Sequence, residues 1–452
     1  MLSPYEILRR SEEGPYIEEK EFDKLVFRKA RELAKEFDIR FSGEEVVPSD
    51  NTLAKSLFEA GYRMALETGF YVIETKRVIK LTEEELRIGM KTYYKEVVMG
   101  EGPDARIVYS RKIEDPRRPI IMGGQSGAPI PEEFHYEMAL SYALERLVDI
   151  LAVGGLAKVR GVEVRTRSPA EVLATFEEIR NIRRAIEVAG RPGMPIKAGE
   201  SSVSAIGALA TMGLLRRTDA QLIAVLNDLK TDYDRLSKAF AFKLYGGYNI
   251  ALIDPVIGGF LGGPEGVAIG LVASNLLSRV IYHADLFINH PIHLKYVSTS
   301  APETIWVLSV VGQAMALNTD FIVFGDVWTS NGEGTSHVFH EAASVTIGNT
   351  VSGLHVCGVV ATNGKYPNAS GLGARYMAKV AIAASRLKRH DANDLVKDLL
   401  KIYYPDRLEK PDIGKSFPEL YDMRYIQPRP WWLKMYEHAI KEIEDLGLKI
   451  EY

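Results

Sequence analysis

The chain has 452 residues, with 56 lysines and arginines against 60 aspartates and glutamates, for a formal net charge of −4. There is no basic excess that would track a phosphate backbone, which argues against a nucleic-acid partner, and no run of about 18 uncharged apolar residues that would span a bilayer. One cysteine, Cys357, excludes an intrachain disulfide and a thiolate-rich metal cluster. The opening Met1-Leu2-Ser3-Pro4-Tyr5-Glu6 lacks a secretory signal pattern, so a soluble, cytoplasmic protein is expected.

Residues 1–112 read as an N-terminal helical extension. Phe22 to Glu36 carries apolar residues at helical spacing, Ser49-Asp50-Asn51 offers an N-cap for a helix reaching Thr68, and Thr82-Glu83-Glu84-Glu85 is a capping-box pattern. Gly100-Glu101-Gly102-Pro103-Asp104 is a turn, and Tyr109 to Pro119 leads into eight short apolar runs. These are Ile120 to Gly124, Val148 to Gly154, Pro195-Ile196-Lys197, Leu222 to Asn227, Asn249 to Asp254, Leu286 to His290, Phe321 to Asp326 and His355 to Thr362. Each is followed by a helix-like stretch, and strands alternating with helices at this pace predict a parallel sheet closed as a (β/α)8 TIM barrel over residues 113–390. Residues 391–452 read as a C-terminal helical extension that wraps back, with Pro405, Pro411, Pro418 and Pro428 and a last amphipathic helix from Trp431 to Leu446.

In such a barrel the chemistry sits just past the C-terminal ends of the strands. Lys197 in the third strand is therefore the leading candidate, with Asp326, Asp254 and Glu200 as the acids nearest the same rim. A lone ammonium in a barrel mouth is costly, so Lys197 is expected to face a carboxylate, Asp326 first. Trp328, Asn227, Gln125 and His290 are expected to line the substrate pocket. The glycine-rich runs Gly258-Gly259-Phe260-Leu261-Gly262-Gly263 and Gly123-Gly124-Gln125-Ser126-Gly127 allow close backbone approach but match no phosphate motif. His337 and His340 share one helical face without the zinc pattern His-Glu-x-x-His, so no metal site is expected. Cys357 is expected to be a small buried apolar residue.

Many separated segments are similar to the monomethylamine methyltransferases of methanogenic archaea. They include Phe58-Glu59-Ala60-Gly61-Tyr62, Glu67-Thr68-Gly69-Phe70-Tyr71, Pro119 to Gly124, Ser141 to Glu145, Gly190 to Met194, Pro291 to Leu294, and Gly414-Lys415 through Tyr421-Asp422. The resemblance implies a TIM-barrel enzyme that moves a methyl group from a methylated amine to the cobalt of a separate corrinoid protein. It further implies no tightly bound cofactor and a homo-oligomer, up to a hexamer. The family carries pyrrolysine three residues after the Met of Gly-Arg-Pro-Gly-Met, where this chain has Lys197. An electrophilic imine is thereby replaced by a nucleophilic or cationic amine, and the family's adduct chemistry does not transfer. The family's Gln and Tyr beside pyrrolysine correspond to Asp326 and Trp328, and its neighbouring Glu falls between Leu252 and Asp254.

The expected activity is methyl transfer without pyrrolysine. An acid such as Asp326, Asp254 or Glu200 would hold the ammonium, with Trp328 stacking on it at about 1–2 kcal/mol. One alternative is Lys197 as a Schiff-base nucleophile toward a carbonyl; another is a non-catalytic binder of a corrinoid protein or an amine. If Lys197 neutralises Asp326, the remaining aromatic pocket favours a quaternary or tertiary ammonium over monomethylamine, and this ranking is the expectation. If Lys197 points away, the free carboxylate suits a small primary or secondary ammonium.

Overall fold

In the computed structural model, which describes residues 1–450, all eight apolar runs supply parallel strands. They are β1 (Ile121–Gly123), β2 (Ile150–Leu151), β3 (Lys197–Ala198), β4 (Ala220–Ala224), β5 (Tyr248–Ile253), β6 (Leu286–Asn289), β7 (Val323–Trp328) and β8 (His355–Val360). A helix follows each in turn: α1 (His135–Ala143), α2 (Pro169–Val188), α3 (Ala205–Met212), α4 (Tyr233–Tyr245), α5 (Pro264–Ile281), α6 (Pro302–Asn318), α7 (His337–Val351) and α8 (Gly371–Ala384). The sheet runs β2-β1-β8-β7-β6-β5-β4-β3. A single parallel bridge between Leu151 and Ile196 closes it, with the Leu151 N–H donating to Pro195 O at 3.0 Å. The molecule is therefore the (β/α)8 barrel that the repeat predicts. β3 begins at Lys197, because the Ile196 N–H donates to Asp219 Oδ1 at 2.9 Å rather than to a neighbouring strand.

Side chains alternate across each strand, which sorts every run into two faces. Met122, Ile150, Leu222, Ile250, Ile288, Phe324 and Cys357 meet inside the barrel. Ile121, Leu151, Ile223, Ala251, Phe287, Val323 and Val356 face outward into the helical layer. At the strands' N-terminal end the barrel is plugged by an antiparallel hairpin, Glu96–Met99 with Arg106–Tyr109. Its Val97, Met99 and Val108 join the inner cluster. The Gly100 N–H donates to Thr218 O and the Glu101 N–H to Gly193 O, which pins the turn below β4 and β3.

The N-terminal extension holds helices Pro4–Glu13, Glu19–Glu36, Asn51–Thr68 and Glu83–Lys91. The caps work as the sequence indicates: Asp50 accepts the Thr52 N–H at 2.7 Å, and Thr82 and Glu85 form a reciprocal capping box. The extension is less purely helical than expected, because it carries both the plug hairpin and a second hairpin, Phe70–Val72 with Arg77–Ile79. At the other end, helix Pro430–Asp445 stacks the Trp432 ring on Phe339 of α7, with centroids 4.9 Å apart. No helix among the described residues is long and apolar enough to cross a membrane.

Candidate functional site

Lys197 opens β3 with its side chain fully buried. Its Nζ donates to the Glu200 carboxylate and to Ser126 Oγ, the latter at 2.8 Å. Ser126 bridges the pair by donating to Glu200 as well, and the Gly127 N–H donates to Glu200 at 3.2 Å. The close return of Glu200 depends on Gly199, whose φ is +112° and where a Cβ would meet Gln221 Nε2 at 2.1 Å. Burial disfavours both charges, yet each stabilises the other. Lys197 ends above the ordinary lysine pKa, with Cys357 and Asp326 adding to the effect of Glu200, and Glu200 ends below the ordinary carboxylate value. The expected first partner of Lys197, Asp326, is therefore replaced by Glu200, because the turn at Gly199 brings the i+3 carboxylate directly over the ammonium.

Strand alternation places Asp326 and Trp328 of β7 on the inward face with Phe324. Asp326 Oδ2 lies 3.2 Å from His290 Nδ1, just past the end of β6, and Cys357 of β8 sits opposite Asp326 in the ladder. Cys357 is buried in the inner apolar cluster, as expected. The His290 and Trp328 rings pack with centroids 4.5 Å apart. Asp326 Oδ1, His290 Nε2 and Trp328 Nε1 are all buried without a hydrogen-bond partner. Burial pushes Asp326 up to about 7, opposed by the nearby Lys197 and aided by Glu200. Burial also takes His290 down to about 3, so its ring is neutral. With Nδ1 turned toward Asp326 Oδ2, the tautomer that carries its proton on Nδ1 presents Nε2 as an acceptor. The glycines of two mouth loops make room for the indole: a Cβ on Gly364 would come within 2.1 Å of Trp328, and one on Gly127 within 3.0 Å.

Asp254 and Asn227 occupy a different sector of the rim. Asn227 is exposed and donates its Nδ2 to the backbone carbonyl of Asp254 at 2.8 Å. Burial pushes Asp254 up to about 6 and its neighbour Asp228 up to about 7. No hydrogen bond or ion pair joins Asp254 or Asn227 to Lys197 among the described residues. Gln125 is fully buried, donates to Tyr366 O at 2.6 Å and accepts the Ala369 N–H at 2.6 Å. Its polar atoms tie the loop after β1 to the loop after β8.

A ring of buried charges supports the mouth loops, and sequence reading passed over it. Glu178 of α2 accepts the Ser201 N–H at 2.7 Å, and Glu171 accepts the Ser204 N–H at 2.6 Å and its hydroxyl at 2.8 Å. Lys238 of α4 donates to Ser202 O, and Asp234 accepts the Ala205 N–H at 3.1 Å. Burial pushes Glu178 up to about 7 and Lys238 down to about 8. On the far side Glu341 of α7 accepts the Ser330 and Asn331 N–H groups, and Glu333 accepts the Ser370 N–H. The seven-residue spacing of Glu171 and Glu178 was the one available signal, since it sets both on one face of α2. His337 and His340 lie 5.8 Å apart, centroid to centroid, with His340 Nε2 3.2 Å from Glu442. No three His, Cys, Asp or Glu side chains among the described residues gather to hold a metal ion.

Comparison with known proteins supplies an independent view of this arrangement. A family model described as monomethylamine methyltransferase MtmB matches residues 2–448. The chain is 32% identical over 452 residues to monomethylamine methyltransferase MtmB2 of Methanosarcina acetivorans, covering 98% of each chain. It is 33% identical over 451 residues to MtmB of Methanosarcina mazei, again covering 98% of each. The crystal structure of the Methanosarcina barkeri monomethylamine methyltransferase overlays with a TM-score of 0.95 and 32% identity, over 99% of this chain and 98% of that one. A crystal structure of a hydroxylamine complex of MtmB overlays equally well.

Proposed function

The chain belongs to the monomethylamine methyltransferase family, and from that premise we propose that it moves a methyl group from a small methylated ammonium ion to a corrinoid cobalt carried by a separate protein, with Lys197 in place of pyrrolysine. The observation that carries this reading is the buried Asp326 carboxyl, whose Oδ1 has no partner because Lys197 is engaged by Glu200. An unpaired buried carboxylate is costly, and a bound cation relieves that cost. A primary or secondary ammonium can donate one N–H to Asp326 Oδ1 and a second to His290 Nε2, with the face of Trp328 beside it.

We infer that the second branch of the sequence reading applies, the one in which Lys197 leaves the Asp326 carboxylate free. The ranking that puts quaternary and tertiary ions first required Lys197 to neutralise Asp326, whereas its Nζ is bonded to Glu200 and Ser126. A quaternary ammonium has no N–H to give to the two acceptors, so small primary and secondary methylammonium ions are the favoured substrates.

Methyl transfer breaks the C–N bond with both electrons going to nitrogen. Nitrogen must therefore be positive beforehand, so that a neutral amine leaves. Asp326 and His290 hold the ammonium in that state by accepting its protons in hydrogen bonds, without removing them. A reduced corrinoid cobalt on the acceptor protein would supply the two-electron nucleophile that takes the methyl group. The Lys197–Glu200 pair contributes a net-neutral wall, and its ammonium tempers the pKa of Asp326. A Schiff-base role for Lys197 requires a neutral amine, and its pairing with Glu200 holds it protonated. The same reading describes a cytoplasmic homo-oligomer, measurable by light scattering.

The test is methyl transfer from mono-, di-, tri- and tetramethylammonium to reduced cobalamin or a corrinoid protein, followed by the cobalt absorbance change. Monomethylammonium should be the better donor, Asp326→Asn should lose about 100-fold or more in kcat/KM, and borohydride should trap no adduct with carbonyl compounds. A preference for tetramethylammonium, or an unimpaired Asp326→Asn enzyme, would falsify the reading; binding of amines with no transfer would make the protein a binder.

A further inference from the structure

β7 outruns its neighbour. β6 pairs with it only as far as Asn289, opposite Gly325, yet β7 continues to Trp328. The stretch that carries Asp326 and Trp328 therefore has no strand along one edge, and its buried backbone groups need other partners. A single residue, Thr299, supplies them. Its hydroxyl donates to Asp326 O at 3.0 Å, with Trp328 O farther off at 3.3 Å, and accepts the Trp328 N–H at 2.9 Å. Its own N–H donates to Trp328 O at 2.9 Å. Along the opposite edge the ladder with β8 shifts register between Val327 and Trp328, so the two residues are held there by a locally disrupted pairing. Thr299 is fully buried, in the loop between β6 and α6, and the next residue is anchored twice from behind. Ser300 Oγ donates to Glu341 Oε2 of α7, and Tyr403, the last residue of helix Arg389–Tyr403, donates its hydroxyl to Ser300 O at 2.8 Å.

We propose that Thr299 is a positioning residue for methyl transfer: by gripping the backbone at both ends of the Asp326–Trp328 step, it fixes where the carboxyl and the indole sit relative to His290, and so how the substrate's methyl is presented. The inference rests on the methyl-transfer reading. Its bonds all end on backbone atoms, so Thr299 acts through Asp326 and Trp328. The indole has little slack to absorb a backbone shift, because Gly127 and Gly364 lie against one edge of it and the His290 ring packs at 4.5 Å. Without the hydroxyl, Asp326 O loses its Thr299 donor and the Trp328 N–H loses its acceptor, while the Thr299 N–H bond to Trp328 O remains. A displaced carboxylate still attracts an ammonium, whereas transfer depends on the placement of the reacting atoms to within about 1 Å. The loss should therefore fall on kcat rather than on KM.

Thr299→Val keeps the shape of the side chain and removes the hydroxyl, and Thr299→Ser keeps the hydroxyl. Thr304→Val is the control, since it deletes an equally buried hydroxyl, bonded to Ala301 O at 2.9 Å, that has no part in the Asp326–Trp328 stretch. With monomethylammonium as donor and reduced cobalamin as acceptor, Thr299→Val should lower kcat about 10- to 100-fold and leave KM within about threefold of wild type. Thr299→Ser should recover most of the rate, and Thr304→Val should match wild type. Fluorine NMR of protein carrying 5-fluorotryptophan at its four tryptophans is a second readout, with the Trp328 line identified by Trp328→Phe. That line should shift or split in Thr299→Val while the others stay in place. If Thr299→Val does not fold, Thr299→Ala is read in its stead. An unchanged kcat, a loss carried by KM alone, an equal loss in Thr304→Val, no rescue by serine, or an unmoved Trp328 line would overturn the proposal. If the wild-type enzyme transfers methyl from no amine, the failure belongs to the methyl-transfer reading, and the fluorine spectra alone then decide whether Thr299 sets the indole.

Discussion

Neither Lys197 nor Glu200 is tolerable alone where it sits. Replacing Glu200 with Ala leaves a buried ammonium with Ser126 as its remaining bonded partner, and denaturant unfolding should show a loss of about 3–5 kcal/mol at pH 7. The double change Lys197→Met, Glu200→Gln should recover most of that loss, because no charge remains to be desolvated. Asp326 predicts the opposite sign. Burial raises its pKa from the ordinary aspartate range to about 7, so the folded state holds its proton more tightly than the unfolded state. The resulting penalty is absent below pH 4, grows as pH rises through the unfolded value, and is complete above about 7. Asp326→Asn should therefore raise the Tm at pH 8, by an amount corresponding to roughly 2–4 kcal/mol, and leave it unchanged near pH 4. Scanning calorimetry at the two pH values checks this. Lys197 was legible in the sequence because a lysine in an otherwise apolar strand has few explanations. Its partner was not legible, since the choice between Glu200 and Asp326 lies in one glycine's backbone angle. His290 and Trp328 could be placed by strand alternation, whereas the Gln125 contacts depend on how two distant loops meet.

At the scale of elements, the loop after β3 is held from behind by α2 and α4. Glu171→Ala removes the acceptor for the Ser204 N–H and hydroxyl, both buried. The loop bearing Glu200 should then loosen, and residues 201–205 should show faster hydrogen exchange and earlier proteolysis, with stability lower by about 1–3 kcal/mol. Glu171→Gln, which keeps an acceptor oxygen, should restore most of the protection. These anchors escaped sequence reading because a glutamate on a helix rich in charge resembles any solvated surface position. The helices of the extensions were legible from their caps and spacing. The plug hairpin was not: its strands are four residues each, too short for alternation to register, although the turn at Gly100 was visible. Only the finished barrel shows why Val97 and Met99 are apolar, since they fill its lower end.

For the molecule as a whole, the repeat of eight runs sufficed to identify the barrel, because few architectures accommodate that alternation. What the repeat cannot convey is how evenly the cylinder is sewn. Seven of its joins carry from two to five paired residues. The eighth, between β2 and β3, carries the lone Leu151–Ile196 bridge. That thin stitch runs beside Lys197 and the loop bearing Glu200. A cylinder gives first along its weakest stitch, so the Leu151 amide should lose its deuterium protection ahead of the amides of β5 and β7, as mass-resolved exchange would register. The wall that carries the lysine is thus the wall most able to part from its neighbour.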